Sequence, residues 1–120
     1  MKTEESVLVR LRELCLSLPE TTEVNSWDHP NFRAGKKIFV AYEWFKGLPG
    51  IAFRIDPMEI DMLLLQEHFF TSPYRRGQWI CLSVNDELDW EQVEEMVYRS
   101  YRIVAIKRML TALDKMLGNS

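Results

Sequence analysis

The sequence is poor in the residues that metal and covalent chemistry need. It has two histidines, His29 and His68, and two cysteines, Cys15 and Cys81. No Cys-x-x-Cys and no His-x-x-x-His occurs, so zinc has no familiar ligand spacing. No Gly-x-Ser-x-Gly occurs either, and a lone cysteine without a placed histidine is more often structural than nucleophilic. The segment Arg33-Ala34-Gly35-Lys36-Lys37 lacks the spaced glycines and following helix of a phosphate-binding loop, and reads as a hairpin. Asp86-Glu87 and Glu91, Glu94 and Glu95 fit a solvated turn and helix face, not carboxylates converging in a cleft. An enzyme is the least supported class, and neither a metal nor a cofactor is expected.

Long apolar runs are also missing. They are short, as in Leu63-Leu64-Leu65, far from the roughly 20 residues that span a bilayer. The acidic start, Met1-Lys2-Thr3-Glu4-Glu5, does not resemble a signal peptide, so a cytoplasmic protein without a membrane partner is expected. Cys15 and Cys81 sit inside apolar patterns and read as buried thiols, not a disulfide.

What remains is a globular composition, 47% hydrophobic and 28% charged, with four tryptophans. At 120 residues it suits one domain with an ordinary core. The net charge of −3 is unevenly spread. Residues 31–54 carry Arg33, Lys36, Lys37, Lys46 and Arg54 against Glu43 alone, whereas residues 85–97 are wholly acidic. Such a chain can present a basic face without binding polyanions indiscriminately.

The pattern predicts a single compact α+β domain in the order α-β-β-β-β-α-β-α. Val7, Leu8, Leu11, Leu14, Cys15 and Leu18 mark a first helix over 4–18, stopped by Pro19. A strand meander follows over 23–55, with turns at Ala34-Gly35-Lys36 and a breaker-rich loop at 46–50. Asp56-Pro57-Met58-Glu59 starts a helix to about Gln66, residues 67–78 form a loop, and Trp79–Val84 is a strand. Asp89 and Gln92 open a last helix from Trp90 to about Leu117, with Trp90, Val93, Val97, Tyr101, Val104 and Ala105 as its inner stripe. A mostly antiparallel sheet then packs one face on the N- and C-terminal helices.

Strand parity gives the other face to Arg54, Trp79, Cys81 and Ser83. Two aromatic-basic segments join them, Trp27-Asp28-His29-Pro30-Asn31-Phe32-Arg33 and Pro73-Tyr74-Arg75-Arg76-Gly77-Gln78-Trp79. An aromatic ring beside guanidinium groups can stack on a base or clamp an anion. The candidate nucleic-acid or ligand-binding set is His29, Arg33, Lys36, Lys37, Arg54, Tyr74, Arg75, Arg76 and Trp79. The simpler account keeps Trp27 and Phe32 in the core, lets His29 brace the Pro30 bend, and covers Trp79 with the 67–78 loop.

The ordered motifs Leu18-Pro19-Glu20, Trp27-x-His29-Pro30-x-Phe32-Arg33-x-Gly35-Lys36-Lys37-Ile38-Phe39, Pro73-Tyr74, Arg76-Gly77-x-Trp79, Asp89-Trp90 and Ser100-Tyr101-x-x-Val104-Ala105 resemble the MmcQ/YjbR family. The resemblance runs from about residue 4 to 108. It implies a compact α+β fold like that of the frataxin-like superfamily, and a DNA-binding role described for the fold as a double wing of β-hairpins. It brings no catalytic residues. The chain departs from it in an aromatic Glu43-Trp44-Phe45-Lys46 loop and an acidic pI of about 5.4. The leading expectation is weak, salt-dependent binding of DNA. The alternative is a small-molecule or protein interaction module on the same face. A third, borrowed from frataxin, has Glu4, Glu5 and Glu13 holding iron loosely, although these carboxylates also suit a helix N-terminus and solvated surface.

Overall fold

A computed structural model describes residues 2–26, 29–72, 75 and 77–118, and side chains from residue 5 onward among them. Helix α1 (Lys2–Leu16) buries Val7, Leu11 and Cys15, a stripe of period four, and ends just short of Pro19. Strands β1 (Thr21–Ser26), β2 (His29–Ala34), β3 (Lys37–Phe45) and β4 (Leu48–Arg54) follow as an antiparallel meander. A 3-10 turn (Pro57–Glu59) and a short α2 (Ile60–Leu63) lead to β5 (Phe69–Phe70) and β6 (Trp79–Ser83). Helices α3 (Trp90–Val104) and α4 (Lys107–Met116) complete the fold. The sheet order is β1-β2-β3-β4-β6-β5, with every pairing antiparallel. The α+β class is as expected.

Three local expectations are corrected. Glu43–Phe45 are not a loop: they continue β3, and the chain reverses in the two residues Lys46 and Gly47, both at positive φ (53° and 82°). That conformation matches strand twist and makes so tight a turn feasible. The region 67–78 contains β5, whose Phe69 and Phe70 pair with Leu82 and Cys81. The last helix is two helices. Ala105 and Ile106 are extended, with ψ of 141° and 168°. The cause is a phase change in the apolar pattern, since at 100° per residue Met109 and Leu113 would fall about 160–200° from Val93 in one unbroken helix. Breaking at Ala105 lets Val93, Val97 and Val104 and also Met109 and Leu113 reach one core.

The predicted capping boxes form by half. Asp56 accepts from Met58 N and Asp89 from Glu91 N, each at 3.0 Å. Their distal partners bond elsewhere, Glu59 with Arg99 (2.9 Å) and Gln92 with Gln66 (2.8 Å), which tie α2 to α3.

One core lies between the sheet and the helices, with Phe32, Val40, Ile51, Phe53, Ile80 and Leu82 from the strands. A β-bulge places Phe39 beside Val40 in this core. Phe32 pairs with Val40 but its neighbour Arg33 pairs with Ile38, so Phe39 has no partner on β2. The same extra residue turns Ile38 to the opposite, outer face of the sheet.

Candidate functional site

The register arranges the outer face in rows. At the β2–β3 turn end, Arg33 pairs with Ile38, and Arg54 pairs with Trp79. In the middle, Asn31 pairs with Ala41, Ala41 with Ala52, Ala52 with Cys81, and Cys81 with Phe70. At the far end Glu43 pairs with Gly50 and Gly50 with Ser83, while His29 starts β2 opposite Ser26. The small residues Ala41, Ala52 and Cys81 are buried under Phe45, Phe70 and Trp79. Phe45 lies so close that a Cβ on Gly50 would stand 3.1 Å from its ring, so glycine there admits the aromatic cover.

Arg75 reaches across this face. Its Nε donates to Glu43 Oε1 and its Nη2 to Asn31 Oδ1 at 3.1 Å. Its guanidinium lies 4.5 Å from the Trp79 ring centroid. Asn31 Nδ2 donates to the His29 carbonyl at 3.0 Å. Asn31 and Glu43 are buried, so this is a desolvated polar network. The Arg54 guanidinium also lies over Trp79, 6.0 Å from its centroid, and donates to Gln78. Trp79 is half-buried, packed against the Ala41, Ala52 and Cys81 cluster with two guanidinium groups near its ring.

A cleft of about 670 Å³ opens beside this network. Among the described residues it is lined by Ser26, His29, Asn31, Ile38, Glu43, Trp44 and Arg75. The His29 ring stacks on Trp44 with centroids 5.7 Å apart and planes at 25°. Trp44 is held edge-on by Tyr42 at 5.1 Å and remains 38% exposed. His29 Nδ1 is buried and has no hydrogen-bond partner among the described residues.

The nine candidate residues thus divide. His29 and Arg75 meet at the cleft, and Trp79 adjoins Arg75. Arg33 and Arg54 lie at the turn end of the same face, with Lys36 and Lys37 exposed at the turn. The Nε atoms of Arg33 and Arg54 are buried without partners among the described residues. Tyr74 and Arg76 lie outside the described residues, as does Trp27. Sequence reasoning missed Asn31, Glu43 and Trp44. Glu43 did leave a signal, as the lone acid in the apolar run 38–45, where a strand-borne carboxylate needs a cation.

Other titratable groups are tied to structure. Glu5 and Glu13 are exposed on α1 beside Arg10, and the Glu4 side chain lies outside the described residues. No group of three or more potential metal ligands gathers among the described residues. Both cysteines are buried and free. Burial, followed by the nearby Glu43 charge, pushes the Cys81 thiol up to about 12, with Arg75 acting in the opposite direction. Burial and then Glu23 hold the Cys15 thiol well above its ordinary value. Both stay protonated at neutral pH. Native protein at pH 8 should therefore show no rapid reaction with Ellman's reagent, and both thiols should titrate once guanidinium unfolds the chain. A fast-reacting thiol in the native protein would contradict this account.

Among the described residues no helix is long and apolar enough to cross a membrane. A search of curated proteins finds no match. Among the solved structures that match are two with this fold. One is a Pseudomonas syringae protein at 12% identity, covering 79% of this chain and 96% of its own, with a TM-score of 0.70. The other is a Deinococcus radiodurans protein carrying the DUF419 domain, at 19% identity, covering 94% and 88%, with a TM-score of 0.68. The YjbR family profile matches residues 16–103, the whole sheet and all of α3 but Val104. The chain belongs to the YjbR family.

Proposed function

We propose that this domain is a cytoplasmic, non-catalytic protein that binds nucleic acid weakly through the β2–β3 turn end of its outer sheet face. The observation that carries the reading is the gathering of Arg33, Lys36, Lys37 and Arg54 at that end, from three strands and one turn. Lys36 in the two-residue turn and Lys37 at the start of β3 are both exposed, a narrow tip suited to lie along a phosphate backbone. A Cβ on Gly35 would lie 3.7 Å from Met109 Sδ, so the start of α4 and its exposed Lys107 are near the same tip. The nearby Glu20 carboxylate is matched by Arg108 through two hydrogen bonds of 2.8 and 2.7 Å.

Arg75 stands apart from this set, because reversing it would break the Glu43 pair and unsettle the fold. The informative variant is K36E/K37E. Fluorescence anisotropy with duplex and single-stranded oligonucleotides at low salt should show it binding all sequences about tenfold more weakly. Wild-type affinity should fall about 100-fold between 50 and 200 mM salt if roughly four phosphates are contacted. Absence of binding at high micromolar protein and low salt would overturn the reading.

A further inference from the structure

We infer that the cleft beside Trp44 takes a neutral planar heterocycle whose edge carries adjacent hydrogen-bond donor and acceptor atoms. This is the chemistry of a nucleobase, whether free as a nucleoside or unpaired in a strand. The inference stands whether or not the turn end binds phosphate.

Two observations carry it. The first is a fixed aromatic wall. His29 stacks on Trp44 and Tyr42 holds it edge-on, so the indole is immobilised while 38% of the residue stays exposed. A rigid exposed ring offers contact area at small entropic cost. The second is charge. Glu43 and Arg75 neutralise each other at the cleft, so an anion finds no net attraction there, while a neutral edge meets both an acceptor and a donor group. A volume near 670 Å³ lies in the range of about 300–1,000 Å³ usual for small-ligand sites. Ile38 adds an apolar surface at the end nearer Arg33.

The test is an NMR titration of the whole chain with adenosine, guanosine, cytidine and uridine separately, then with a single-stranded oligonucleotide, and with inorganic phosphate as control. At least one nucleoside should shift the Trp44 indole N–H and saturate with a millimolar or tighter Kd. Trp44→Ala should weaken it about fivefold or more. Should that variant fail to fold, Trp44→Phe keeps a ring and should weaken binding two- to threefold, roughly the loss expected from a smaller stacking face. K36E/K37E should leave nucleoside binding unchanged. If the oligonucleotide binds more tightly than the nucleosides and K36E/K37E removes the advantage, the base comes from a strand. If it binds no more tightly, the ligand is the free molecule. No saturable change at Trp44 from any nucleoside or the oligonucleotide would overturn the inference. So would the same change from inorganic phosphate, or undiminished affinity in the folded Trp44 variants.

Discussion

Replacing Phe39 by alanine should lower the unfolding free energy by about 4 kcal/mol, within the range for deleting a buried phenyl ring. Phe39 is fully buried and meets Tyr101 edge-on, with centroids 5.7 Å apart and planes at 79°. It is the extra residue of the β3 bulge, so its ring fills space between sheet and α3 that no paired strand residue occupies. The surrounding backbone is fixed on both sides by β2 and β4, and collapse around the cavity should be limited. The loss is large against total stabilities of about 5–15 kcal/mol for small domains. Urea denaturation should show a lower midpoint with little change in slope. A cost below about 1 kcal/mol would mean that the bulge relaxes and the ring is not a keystone.

The sequence carried most of the scaffold because its elements are marked by period and punctuation. Val7, Leu11 and Cys15 declare a helix face, and Pro19 closes it. Ile51, Phe53, Ile80 and Leu82 alternate as strands with one buried face should, and they pair as Ile51 with Leu82 and Phe53 with Ile80. The break at Ala105 was less visible, since neither proline nor glycine marks it. It is written only in the phase of the apolar stripe, where Met109 and Leu113 oppose the side set by Val93 and Val104. The bulge at Phe39 leaves no signal in a run of consecutive apolar residues, because any register buries something there. Yet that bulge decides that Ile38 joins the cleft.

Site residues were legible by type more than by role. Arg75 and Trp79 stand out as charge beside aromatic, and they do meet. Their partners Asn31 and Glu43 come from other strands, 44 and 32 residues from Arg75 in sequence. Only the sheet register brings them together. Trp44 likewise looked like part of a loop until the turn contracted to Lys46 and Gly47. The exposed aromatic at the cleft is therefore Trp44, while Trp79 is half-buried near Arg54 and Arg75.

The Glu43–Arg75 pair should show strong, non-additive energetics. The side chains are only 9% and 20% exposed, so removing one partner leaves the other poorly solvated. Arg75→Leu strips the buried carboxylate of its cation and also removes the donor to Asn31, and should cost about 3–4 kcal/mol. Glu43→Leu should cost less, about 2 kcal/mol, because the more exposed Arg75 keeps Asn31, lies against Trp79 and can reach water. The double variant removes both charges and fills the site with apolar groups. It should be no less stable than Arg75→Leu alone, giving a coupling energy of about 2 kcal/mol in a double-mutant cycle. Raised salt should change wild-type stability little, since a buried pair is weakly screened. Limited proteolysis gives a second readout. Arg75 bonds to Asn31 on β2 and Glu43 on β3, so Arg75→Leu should speed cutting next to residue 75 even below the unfolding transition. Additive losses in the double variant would show that packing around each side chain, and not their mutual attraction, holds Arg75 against the sheet.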